Sequence, residues 1–178
     1  MHNIDWKEVE AFFYHAMATS GYPAGARFAG PALLRGHTRI GHQRADGMFR
    51  LEDIWSHGPG TKSAGFTTIY LYTGDEARVD WMPIWQMHYG GEYQKEHTSV
   101  LKKILLDAYS RPEGGKFQGC RGPREIVHDG ILYTNRLESP LVHEEASFCK
   151  FSGFERMVSH FSDRSKVGYH QYFGMALV

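Results

Sequence analysis

The side chains best equipped for chemistry are two imidazoles, one thiol and a set of aromatic hydroxyls and amides. They gather in three short runs: Trp85–Tyr93 (WQMHYGGEY), Gly168–Ala176 (GYHQYFGMA) and the segment QGCRGP around Cys120. His88 and His170 are candidates for acid–base work. Cys120 is a candidate nucleophile, because Arg121 and Arg124 beside it would favour a thiolate. The same guanidinium forks can hold a carboxylate or phosphate bidentately, or pair structurally with Asp107, Glu125 or Glu138. Metal binding finds no fixed spacing: His37 and His42, and the run His143-Glu144-Glu145, match no HExxH or HxH pattern. There is no G-x-S-x-G elbow, and GGKFQGCRGP fits neither a P-loop nor a dinucleotide fingerprint. No cofactor is therefore expected, and no catalytic residue can be assigned.

In an extended strand alternate side chains share a face. Trp85, Met87 and Tyr89 then lie on one side with Gln86 and His88 on the other, while Tyr169, Gln171 and Phe173 oppose His170 and Tyr172. Apolar rings mixed with a few polar atoms suit a binding pocket. The candidate ligand-binding set is Trp85, Gln86, His88, Tyr89, Arg121, Tyr169, His170 and Tyr172.

These runs need elements to hold them. Val9, Phe12, Phe13, Ala16 and Met17 have helical spacing over residues 5–19, with Asp5 and Glu8 as a capping-box start and Gly21 and Pro23 as the stop. Val100, Leu101, Ile104, Leu105 and Ala108 predict a second helix over 97–110, capped by Thr98 or Ser99. Elsewhere short alternating runs predict antiparallel strands, and Asp46-Gly47 and Asp129-Gly130 each predict a two-residue type I′ hairpin.

Three landmarks recur at near-constant separation: the Asp-Gly pairs, Gly65-Phe66 with Gly153-Phe154, and Gly90 with Gly174. A helix precedes each set. This predicts an α+β fold made by internal duplication of a helix plus four-stranded antiparallel meander. The whole chain, 1–178, would be a single domain, with repeats over about 4–93 and 95–178 and the pocket between them.

Composition narrows the partners. Lys plus Arg equals Asp plus Glu at 20 each, so direct nucleic-acid binding is not expected. No window approaches the length of a membrane span and no secretory leader is visible, which predicts a cytoplasmic protein without a membrane partner. Cys120 and Cys149, the only cysteines, lack CxxC spacing and read as free thiols.

VEAFFYHAMATSGY, RADGMFRLEDIW, WMPIWQMHYGG, VLKKILLDAY, CRGPREIVHDGILYTNR, FSGFERM and YHQYFG together resemble the DUF5680 domain family. The chain departs from that pattern at GPGTKSAG (58–65) and TGDEARVD (73–80). Members occur alone or behind helix-turn-helix domains, so the resemblance implies a non-enzymatic small-molecule-binding or sensory module. The alternatives are a dimerisation or protein-interaction domain, in which the partner is a second copy, and a small-molecule enzyme using His88, His170 or Cys120.

Overall fold

The computed structural model describes residues 4–25, 37–58, 61–74, 80–110, 117–138, 145–161 and 165–178. Helix α1 (Trp6–Ser20) starts where Asp5 accepts a hydrogen bond from the Lys7 amide at 2.9 Å. Only half of the expected capping box forms, because the Glu8 carboxylate accepts from Arg44 at 2.6 Å. A 3-10 turn (Tyr22–Ala24) follows, with Pro23 in its first turn. Strands β1 (His37–Gln43), β2 (Phe49–His57), β3 (Lys62–Tyr72) and β4 (Trp81–Tyr93) precede α2 (Thr98–Ser110). Strands β5 (Glu125–His128), β6 (Ile131–Glu138), β7 (Lys150–Ser159) and β8 (Lys166–Ala176) complete the chain.

Among the described residues all eight strands form one antiparallel sheet in the order β1-β2-β3-β4-β8-β7-β6-β5. This corrects the expected duplication: there are not two helix-plus-meander units packed as separate repeats with a pocket between them. β4 and β8 pair from Trp85↔Ala176 to Tyr93↔Gly168. The physical reason is the sheet edge. A four-stranded sheet ending at β4 or β8 would expose a long row of unpaired backbone groups, and edge-to-edge pairing satisfies both rows at once. The two similar stretches, WQMHYGGEY and GYHQYFGMA, are thus hydrogen-bonded neighbours at the centre of the sheet.

Both helices cover one face. Phe12, Phe13 and Met17 of α1 and Leu101, Ile104 and Leu105 of α2 join Leu51, Ile69, Trp85, Met87, Phe151 and Met157 in one core. Trp85 anchors it, stacked on Phe148 at 4.7 Å between centroids and donating its indole N–H to the Phe148 carbonyl at 2.7 Å. Among the described residues no helix covers the other face of the sheet, where Phe173 is half exposed.

The hairpins differ. Asp129 and Gly130 both have positive φ, 48° and 72°, and His128 pairs with Ile131, so this is the expected two-residue turn. At the first hairpin only Gly47 has positive φ, 75°, and the loop is wider. There Asp46 is held by Arg44 and by the Met48 amide at 3.0 Å, which favours an ordinary backbone region for the aspartate. The segments 26–36 and 75–79, within the predicted loops, and His143-Glu144 lie outside the described residues.

Candidate functional site

A cavity of about 390 Å³ lies between the 3-10 turn, α2 and the helix-covered face of the sheet. Its walls are apolar, with Met17, Trp55, Met87, Leu101 and Leu105 among them, and Asp53, Tyr89, Arg121 and His170 converge on it. His57 and Lys95 are exposed at its rim. A wider recess of about 1320 Å³ lies on the other side of α2. That one is bordered by the exposed side chains of Lys7, Lys103, Asp107 and Glu125, whose charges water screens, and reaches the other side of the buried Arg121.

The buried polar groups come from inward positions of the strands. In β2 Leu51, Asp53 and Trp55 point inward, and in β7 Phe151, Gly153, Glu155 and Met157 do. Glu155, fully buried, is saturated. It accepts from Tyr93 at 2.9 Å, from Tyr133 at 2.6 Å and from both Nε and Nη2 of Arg121, with His170 Nδ1 at 3.4 Å. Burial would raise its pKa, but the Arg121 guanidinium and the His170 contact hold it well below the ordinary carboxylate range. Burial lowers the pKa of His170 despite the Glu155 contact, so its imidazole is neutral at pH 7. Its Nε2 lies 3.3 Å from Ser63 Oγ.

Asp53 is different. Its Oδ1 accepts from Thr67 at 2.9 Å and from Tyr89 at 2.8 Å, both neutral donors. Burial pushes its pKa up to about 6, and the two hydrogen bonds and the more distant Arg121 charge only partly oppose this. Glycines make the geometry possible. A Cβ on Gly65 would stand 2.7 Å from the Tyr89 hydroxyl, so the bare backbone lets the phenol cross β3 toward Asp53. Likewise the His170 ring lies over Gly91, where a Cβ would meet its Cδ2 at 2.4 Å.

Of the residues proposed from the sequence, the structure brings Tyr89, Arg121 and His170 to this cavity. Trp85 is in the core, as is Tyr172, whose hydroxyl donates to Asn135. Gln86 and His88 lie on the open face, bonded to each other at 3.0 Å, with His88 stacked on Phe173 at 5.1 Å. Tyr169 is also there, stacked on Phe154 at 5.7 Å. His88 and His170 are therefore on opposite faces and form no joint site. Arg121 pairs with Glu155 rather than Asp107, Glu125 or Glu138.

Cys120 is corrected as a nucleophile: it is fully buried, and burial holds its thiol well above the ordinary value despite Arg121. Among the described residues no group of three or more His, Cys, Asp or Glu could hold a metal, and no helix is long and apolar enough to cross a membrane. Asp53, Thr67 and Glu155 were not among the sequence candidates. Their signal was present: an acid in phase with the apolar positions of an alternating strand, Asp53 in LEDIW and Glu155 in FSGFERM. Comparison with family models, with curated proteins and with solved structures gives no match.

Proposed function

We propose that this chain is a non-enzymatic small-molecule-binding module whose ligand occupies the cavity beneath the 3-10 turn and α2. The observation that carries the reading is an apolar cavity with a few convergent, buried polar groups, each held in place by protein partners. Such preorganisation lowers the ordering cost of binding. Binding is favoured over catalysis because Glu155 is fully engaged, the Cys120 thiol is buried and protonated, and His88 is on the other face. The resemblance to DUF5680 modules points to the same sensory role, and we hold it as part of this proposal.

Screening a fragment library by NMR against the full chain tests the reading. Shifts are expected at the Trp55 indole and at Tyr89, Thr67 and His170, and a cavity-filling Ser63→Phe substitution is expected to abolish them. Shifts confined to Phe66, His88 and Phe173 would move the site to the open face and overturn the cavity reading.

A further inference from the structure

Among the described residues the cavity wall holds one buried carboxylate, Asp53, and one buried guanidinium, Arg121, while the buried Glu155 that Arg121 bonds lies outside the lining. Arg121 directs its Nε and Nη2 to Glu155, which neutralises that pair. His170, also on the cavity wall, has its pKa lowered by burial and supplies no cation at neutral pH, and the buried phenols Tyr93 and Tyr109 are neutral there. A buried charge without a counter-ion is costly, and folds normally remove it or pair it. Here, with no cation hydrogen-bonded to it among the described residues, the Asp53 carboxylate is retained, 2% exposed, on the wall of a cavity with room for a ligand.

We propose that the cavity accepts an organic cation, a protonated amine or amidine on an apolar body, whose charged head pairs with the Asp53 carboxylate. This rests on the small-molecule reading above and adds the chemical class of the ligand. Tyr89 and Thr67 orient the carboxylate by donating to Oδ1. Trp55 and Tyr22, packed edge to face at 6.0 Å, present aromatic surface that also attracts a cation. An anionic ligand is disfavoured because the guanidinium it would need is occupied by Glu155. Among the described residues Lys95 and His57 are the exposed titratable groups at the rim, and the Lys102 ammonium lies over the Tyr22 ring at 4.5 Å.

The experiment titrates the full chain at pH 7.5 with three probes of one shape, benzylammonium, benzyl alcohol and benzoate, followed by Trp fluorescence and calorimetry. Benzylammonium is expected to bind at least tenfold more tightly than the other two. Asp53→Asn, which preserves size and the two accepted hydrogen bonds, is expected to weaken the ammonium at least tenfold and leave the alcohol within twofold. Lowering the pH to 5 is expected to weaken the ammonium for the wild type alone, since the amine stays protonated throughout. Should the variant fail to fold, the same pH series on His170→Gln, which removes the other buried group gaining charge over this range, reads Asp53, and an ammonium affinity there unmoved between pH 7.5 and 5 overturns the assignment. Equal or tighter binding of the alcohol or benzoate, or an ammonium affinity unmoved by Asp53→Asn, overturns the cation assignment and leaves the cavity reading standing. No binding of any probe at millimolar concentration overturns both.

Discussion

Asp53 and Glu155 are both buried carboxylates, yet their surroundings push them in opposite directions. For Asp53 the folded pKa, about 6, lies above the model-compound value of 3.8. The folded state therefore holds its proton more tightly, and stability from this group is lost as pH rises from about 4 to about 6. The loss is about 3 kcal/mol once both states are ionised. Asp53→Asn is expected to raise the unfolding free energy at pH 7.5 by up to that amount and to change it little at pH 4. Burial lowers the pKa of His170, which gives a slope of the opposite sign below about pH 6.5, so the quantity to compare is wild type minus variant in urea melts. Glu155 has the reverse sign to Asp53, its stability being present above about pH 4.5 and lost in acid. Glu155→Gln leaves Arg121 buried without its counter-charge and is expected to cost about 3–5 kcal/mol at neutral pH, read in the same melts. A binding residue that weakens the fold and a structural residue that supports it are thus distinguished by one measurement.

Element-scale behaviour is sharpest at the adjacent glycines of β4. A Cβ on Gly91 would lie 2.0 Å from the Tyr169 carbonyl oxygen, a backbone atom of the paired strand that cannot swing away. A Cβ on Gly90 would meet nothing nearer than 3.5 Å. Gly91→Ala is expected to destabilise by about 2 kcal/mol or more by prising β8 from β4. Gly90→Ala is expected to be neutral or to stabilise by about 0.5 kcal/mol, through the unfolded chain. Thermal melts of the two variants check the pair. Nothing in the residues GG tells them apart; the distinction comes from which face each presents and what the partner strand places there. The helices were legible, since apolar spacing is local, as is the Asp5 cap of α1; at α2 the expected cap Thr98 is instead the first helical residue and donates its hydroxyl to the Lys95 carbonyl at 2.8 Å. Asp129-Gly130 was also legible as a two-residue turn, whereas Asp46-Gly47, the same dipeptide, was redirected by the Arg44 ion pair and by Asp46 capping the Met48 amide.

At the scale of the whole molecule the sheet joins what the chain order separates. Trp85 of β4 stacks on Phe148, just before β7, and Tyr93 of β4 donates to Glu155 of β7, so the core and the buried polar network both cross the β4–β8 junction. Fragments 1–94 and 95–178 are each expected to lack stable tertiary structure alone, because each would expose a long central-strand edge and an incomplete core. Mixing them is expected to restore the near-ultraviolet circular dichroism of the intact chain. Independent folding of either fragment would contradict the continuous-sheet account.

Local pattern alone determined the two helices, the alternation of the strands, which side chains of WQMHYGGEY and GYHQYFGMA share a face, and the free state of the thiols. These depend on periods of 3.6 and 2 and on residues a few positions apart. Tertiary structure decided that the meanders merge edge to edge, and that Tyr89, Arg121 and His170 meet while Gln86, His88 and Tyr169 do not. It also decided that Arg121 belongs to Glu155, which leaves Asp53, among the described residues, a buried carboxylate bonded only by neutral donors. Such facts depend on strand order and register, which pair residues up to 107 positions apart, as Ser63 with His170. No local rule reaches across that separation, although an acid standing in phase with buried apolar neighbours marks where to look.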